Sequence, residues 1–150
     1  KGIGRMESLE RILTFANRSG QYSQEEKTIL TEEKNIQYVK LLERMAPDDT
    51  LPGIRTFLTD ARADGVKLAV ASASKNAPTI LRALELLDSV DFIADAGRAR
   101  SKPCPDIFLA AATGIGLTPS VCVGIEDAAA GIQAIHAAGM KAVGIGSVSI

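Results

Sequence analysis

Apolar residues recur at helical spacing through the first third of the chain, then give way to short apolar runs set between helices. Leu9, Ile12, Leu13 and Ala16 share one helical face, after a polar, glycine-containing start; Gly20 is expected to end that helix. Ser23 with Glu26 three residues on is a capping-box signature. It opens a long helix to about Met45, with Ile29, Leu30, Ile36, Val39, Leu42 and Met45 on its apolar side. No strand pattern occurs in this first third. Residues 46–53, rich in Pro, Asp and Gly, read as a hinge-like connection. Beyond it, a helix carrying Ile54, Phe57, Leu58 and Ala61 ends at Gly65. An apolar strand spans Val66 to Ala71, a helix Asn76 to about Leu87, and a short strand Phe92 to Ala94. A helix from Pro105 to Gly114 precedes a buried strand, Val121 to Ile125. The helix from Asp127 to Ala138, capped by Gly139, leads to a last strand, Lys141 to Ile145. Strands separated by roughly ten to fifteen helical residues imply crossover units and a parallel sheet. The expectation is an α/β fold: a helical piece over residues 1–50 and an α/β core over residues 51–150.

Composition narrows the function classes. Hydrophobic residues make up 46% of the 150 and charged residues 23%, ordinary for a globular domain. The net charge is −1 and no basic run exceeds two residues, so no nucleic-acid surface is indicated. Trp is absent and aromatics are few, which disfavours base-stacking platforms. Cys104 and Cys122 form no CxxC pair, and Cys122 falls in a predicted strand; a reducing, cytoplasmic setting is expected. No apolar run approaches the ~20 residues of a membrane span, and no stretch reads as a signal peptide. The sequence opens at Lys1 and closes at Ile150, just past a strand, and reads as an internal piece of a longer protein.

Three strand ends carry groups that could converge on one ligand. Glu126 and Asp127 directly follow the strand Val121 to Ile125. Parallel α/β sheets place ligands at the carboxyl ends of their strands, and adjacent carboxylates there suit Mg2+. The competing reading has Asp127 capping the next helix and Glu126 facing solvent; the pair alone does not decide. Ser72 follows the strand ending at Ala71, and its hydroxyl with the backbone N–H groups opening the next helix would cradle an anion. A plain turn with Ser74 as helix cap is the alternative. Lys102, in Ser101-Lys102-Pro103-Cys104-Pro105-Asp106, is held between a turn and a Pro-rich helix start and could neutralise a phosphate oxygen; a surface lysine is the simpler reading.

Taken together, the order Ser72, Lys102, Glu126-Asp127 at successive strand or helix ends resembles the haloacid dehalogenase superfamily of phosphoryl-transfer enzymes. The resemblance implies a Rossmann-like parallel-sheet core with an inserted helical cap and covers the whole chain. By it, Ser72 matches the hydroxyl on the transferring phosphoryl group. Lys102 matches the lysine that holds nucleophile and phosphate together, and Glu126 and Asp127 match the Mg2+-binding acids. The cap pattern Lys1-Gly2-x-x-Arg5-x-x-Ser8, with Lys34-Asn35 and the core run Ser72-Ala73-Ser74-Lys75-Asn76, is similar to the sugar-phosphate mutases of that superfamily. There the cap arginine and the Ser-Lys-Asn run grip the phosphate that is not transferred, and the cap lysine, here Lys34, meets the sugar. Arg5 offers a fork of donors suited to phosphate; a helix-start arginine on the surface is its alternative.

The implied activity is interconversion of β-D-glucose 1-phosphate and β-D-glucose 6-phosphate through glucose 1,6-bisphosphate. The implied partners are a sugar phosphate and Mg2+, with neither nucleic acid nor membrane, and a monomer is expected when the protein is complete. A sugar-phosphate phosphatase, or a non-catalytic piece as written, are the alternatives. The family's chemistry starts from a DxD motif, and none stands here at a strand end. The resemblance places it before Lys1, on a central strand between those ending at Ala71 and Ile125. Those two strands are therefore expected not to be hydrogen-bonded to each other, and this chain alone is expected to be inactive. Arg98 and Arg100 are open between surface charge and added phosphate affinity. His136, without a second His or Cys nearby, reads as a structural or surface residue.

Overall fold

The computed structural model describes residues 4–146. Its first two helices, α1 (Arg5–Phe15) and α2 (Gln24–Leu42), pack on each other, with Leu13 and Leu42 buried. The Ser23 hydroxyl accepts the Glu26 N–H while the Glu26 carboxylate accepts the Ser23 N–H, which caps α2 reciprocally. Lys27, almost fully buried, places its amine 2.9 Å from Glu10 of α1. Gly20 does not end α1. The chain turns at Asn17 (φ 55°), and the Arg18 N–H bonds back to the Leu13 carbonyl, a left-handed close that Asn tolerates.

The remaining elements alternate. Helix α3 (Ile54–Ala63) is followed by strand β1 (Ala69–Val70), α4 (Ala77–Ala83), β2 (Phe92–Ile93), α5 (Asp106–Gly114), β3 (Val123–Glu126), α6 (Ala129–Ala137) and β4 (Lys141–Gly144). Gly65 and Gly139, both at positive φ, close α3 and α6 where expected. Helix α4 is shorter than its apolar pattern. Glu85 adopts φ 53° and the Leu86 N–H returns to the Leu81 carbonyl, which ends the helix and buries Leu86.

Parallel pairing joins β1 to β2 and, separately, β3 to β4. Among the described residues β1 and β3 are not hydrogen-bonded to each other, as expected, and belong to separate two-stranded sheets. Helix α5 lies against β1 and β2, α6 lies against β3 and β4, and the two helices touch. Between them sits the core: Ala94, Ile107, Phe108, Ala111, Ala112, Ala134, Ile135, Ala138 and Met140. Close approach to the helices depends on missing side chains. A Cβ on Gly124 of β3 would lie 2.6 Å from Ile135, and one on Gly114 would lie 2.2 Å from the Phe92 ring.

The expected buried strand from Val121 to Ile125 is corrected on two counts. Val121 belongs to a 3-10 turn and the strand runs on through Glu126. Val123 and Ile125 are also half exposed, at 56% and 45%. Among the described residues β3 packs against α6, through Gly124, and pairs along one edge, with β4. Cys122 is correspondingly only partly buried.

Candidate active site

Alternation of strand and helix fixes where polar side chains can gather, because each strand delivers its last residue to the same end of a parallel sheet. Ser72 stands two residues past β1. Its Oγ accepts the Ser74 N–H at 3.1 Å, and Ser74 Oγ in turn accepts the Asn76 N–H at 3.2 Å. Both hydroxyls use their acceptor side to shape the turn, and these bonds leave each O–H proton for a ligand. Asn76, not Ser74, occupies the N-cap position of α4. The exposed Lys75 bends towards the turn after β2, its Nζ 3.7 Å from where a Cβ on Gly97 would stand.

Lys102 is the most enclosed charge of the group. Its side chain is 7% exposed and its Nζ lies 2.7 Å from Glu126 Oε2; the Glu126 side chain is 11% exposed. The ammonium also sits over the Phe108 ring, 4.9 Å from its centroid. Lys102 is thus not a surface lysine and Glu126 does not face solvent. The two residues are 24 positions apart and meet because α5 returns the chain from one strand pair to the other.

Glu126 is held from behind by a glycine. A Cβ on Gly131, in the first turn of α6, would lie 2.1 Å from Glu126 Cδ and 2.5 Å from Oε1. Asp127 follows on the exposed turn, while Ala128 takes the N-cap position of α6.

The helical part reaches this end of the core at two points. The Gly4 N–H, at the start of α1, donates to Ser101 Oγ at 3.2 Å, which sets Arg5 and α1 beside the loop before Lys102. Asn35 of α2 accepts a hydrogen bond from the Asn76 amide at 2.9 Å. Arg5 and Lys34 are exposed and Ser8 is half-buried. Lys1 and Gly2 lie outside the described residues. A cavity of about 60 Å³ opens here, lined among others by Gly4, Ala73, Ser101 and Lys102.

Arg100 also borders this cavity, but its guanidinium grips Asp106 at the start of α5 through two 2.8 Å bonds. That pairing holds the Asp106 carboxyl down at about 2 and raises the Arg100 guanidinium above its ordinary value. Arg98 lies 3.4 Å from Asp95 and is 89% exposed. His136 is exposed on α6.

Mg2+ prefers hard oxygen ligands and keeps several waters, using one or two carboxylates. The adjacent carboxylates of Glu126 and Asp127 match that chemistry, although Glu126 shares its charge with Lys102. Among the described residues no group of three acidic, His or Cys side chains is gathered for a metal.

Sequence reasoning missed Gly131 and Phe108. A glycine inside a helix costs stability relative to alanine, so Gly131 invited a reason that the sequence left unstated. Phe108 carried no signal beyond core packing.

Comparison with known proteins is consistent with this layout. A family model described as haloacid dehalogenase-like hydrolase matches residues 1–139. The β-phosphoglucomutase of Bacillus subtilis (strain 168) is 46% identical over 147 residues, covering 97% of this chain and 65% of its own length. A crystal structure of β-phosphoglucomutase from Clostridium difficile superposes with a TM-score of 0.94 at 49% identity, covering 97% of this chain and 66% of the other. Hexitol phosphatase B of Escherichia coli (strain K12) is 33% identical over 108 residues, 70% of this chain and 48% of its own. The chain thus spans about 65% of the first of these relatives and less of the phosphatase.

Proposed function

Because this chain belongs to the haloacid dehalogenase-like hydrolase family, we infer that it carries the phosphate-binding part of a β-phosphoglucomutase. The complete protein would interconvert β-D-glucose 1-phosphate and β-D-glucose 6-phosphate through glucose 1,6-bisphosphate. The observation that carries this reading is the double contact of the helical part with the phosphate end of the core, Gly4 to Ser101 and Asn35 to Asn76. A mutase must hold a bisphosphate at both ends, and these contacts bring a second set of cationic residues, on α1 and α2, towards the first. The strong similarity to the Bacillus β-phosphoglucomutase supports the same reading.

In this account the Ser72 hydroxyl donates to the transferring phosphoryl group, and Lys102 neutralises charge on it. Arg5, with Ser74, Lys75 and Asn76, grips the second phosphate; Lys34 meets the sugar, and Ser8 with Lys1 and Gly2 completes the cap side. Glu126 and Asp127 would hold Mg2+, which offsets phosphate charge. The nucleophilic aspartate and the general acid/base come from a part of the protein outside this chain, since no DxD motif stands at any of its strand ends. Alone, these 150 residues position phosphate but transfer nothing. Catalysis by the remaining groups is positioning plus electrostatics in a site closed to water. In this reading the complete protein is a cytoplasmic monomer. None of the described helices is long and apolar enough to cross a membrane.

Similarity to hexitol phosphatase B gives the second reading, a sugar-phosphate phosphatase. A coupled assay of the full-length protein separates the two. Glucose 6-phosphate formed from β-glucose 1-phosphate with trace bisphosphate supports the mutase; inorganic phosphate without isomerised sugar refutes it. Arg5→Ala lowers mutase turnover severely and leaves a small-substrate phosphatase nearly intact.

A further inference from the structure

A buried ammonium needs partners on every side it turns away from water. Lys102, at 7% exposure, has one charged partner in Glu126 at 2.7 Å. Its second neighbour is not polar. The Phe108 ring, itself buried, lies beneath the Nζ at 4.9 Å from ring centroid to nitrogen. That is within the ≈ 6 Å over which a ring face attracts a cation, and attraction grows when water is excluded. Phe108 sits on α5 one turn beyond the Pro105 start, so the helix that follows Lys102 carries the ring back under its amine. Glu126 approaches from β3 and is confined by the Gly131 backbone. The ammonium is therefore held by residues of two elements, while Lys102 also lines the cavity shared with Ala73 beside the Ser72 turn.

We propose that Phe108 is a positioning residue for Lys102: its ring face, together with the Glu126 carboxylate, aims the ammonium at the phosphoryl group. This rests on the reading of Lys102 as a phosphate-binding group. An aliphatic residue would fill the same core volume but would let the amine relax towards Glu126 alone.

The test replaces Phe108 in the full-length protein with mono-, di- and trifluorophenylalanine, which keep the ring's shape and progressively weaken its negative face. Each is made with Lys102 and with Lys102→Met. Unfolding in urea and turnover of β-glucose 1-phosphate are measured. In the Lys102 protein the unfolding equilibrium constant rises stepwise, to on the order of tenfold. In Lys102→Met it stays flat, and kcat falls with each fluorine in the Lys102 series while KM holds. Equal shifts in both backgrounds mean that the ring only fills the core, and overturn the proposal. Should Lys102→Met fail to fold, a kcat that ignores the number of fluorines overturns it equally. Lys102→Met with full turnover would defeat the phosphate-binding reading itself; lost turnover there, with a flat fluorine series, defeats the Phe108 role alone.

Discussion

Gly131→Ala sets two physical effects against each other. Helix propensity favours it, because alanine is better than glycine inside a helix by about 1 kcal/mol, and Gly131 lies in the first turn of α6. Sterics oppose it, because the new methyl would stand 2.1 Å from Glu126 Cδ, 2.2 Å from Cγ and 2.5 Å from Oε1. No side chain tolerates such distances, so the Glu126 carboxylate must leave its position. Its departure breaks the 2.7 Å pair and strands Lys102, only 7% exposed, without its counter-charge. Breaking a buried pair from one side costs about 3–5 kcal/mol. Subtracting the propensity gain leaves a net loss of about 2–4 kcal/mol. Urea denaturation of the full-length protein reads this directly, and phosphoryl transfer should fall with it because Lys102 loses its orientation. A variant more stable than the parent by about 1 kcal/mol, with turnover unchanged, would show that Glu126 re-seats at no cost, and would refute the reasoning.

Gly124→Ala also clashes, 2.6 Å from Ile135, but within the core; it should lower the urea midpoint while leaving KM for β-glucose 1-phosphate unchanged in the folded fraction. The Arg100 pairing makes a pH prediction. Asp106 sits at about 2, below its ordinary value, so its stabilising effect is complete above the ordinary aspartate range and is lost as pH falls through its folded value. Arg100→Ala should raise the Asp106 carboxyl towards the ordinary range but not fully to it, because the backbone N–H of residue 100 still donates to it; carbon-13 NMR titration reads this, and an unmoved titration would contradict the pairing. Chelating Mg2+ with EDTA should abolish turnover and excess Mg2+ should restore it, whereas Asp127→Asn should raise the Mg2+ concentration needed for half activity; turnover indifferent to EDTA would remove the metal from the account.

Much of the fold was legible because period and punctuation agree. Helical spacing in α1 and α2, then short apolar runs between helices, led directly to a helical part and a parallel α/β part. The boundaries failed where non-glycine residues take left-handed turns. Asn17 ends α1 ahead of Gly20, and Glu85 ends α4 inside an apolar pattern that continues to Leu87. Strand β3 looked buried because its residues are apolar, but apolar composition does not count neighbours, and β3 has a helix on one face and a strand on one edge.

The site was legible as positions and not as partnerships. Ser72, Lys102 and Glu126 were marked by following strands or opening helices in a fold that gathers such ends. That Lys102 pairs with Glu126 depends on how α5 crosses between strand pairs, which no local pattern encodes. Arg100 stayed undecided for a similar reason: its partner, Asp106, lies on the helix start six residues on, and its guanidinium could have faced either way. Asn35 drew notice beside Lys34, yet its bond to Asn76 joins residues 41 positions apart.

The central claim is that the ends of β1 and β3 and the turn before α5 form one phosphate site. A crystal structure of the full-length protein with Mg2+ and trifluoroberyllate, a mimic of the phosphoryl group, tests it most directly. The account predicts the Ser72 hydroxyl and the Lys102 ammonium within hydrogen-bond distance of the same fluorides, with Mg2+ on the Asp127 side. An anion bound away from Ser72 and Lys102, or a metal with no contact to Asp127 or Glu126, would contradict it.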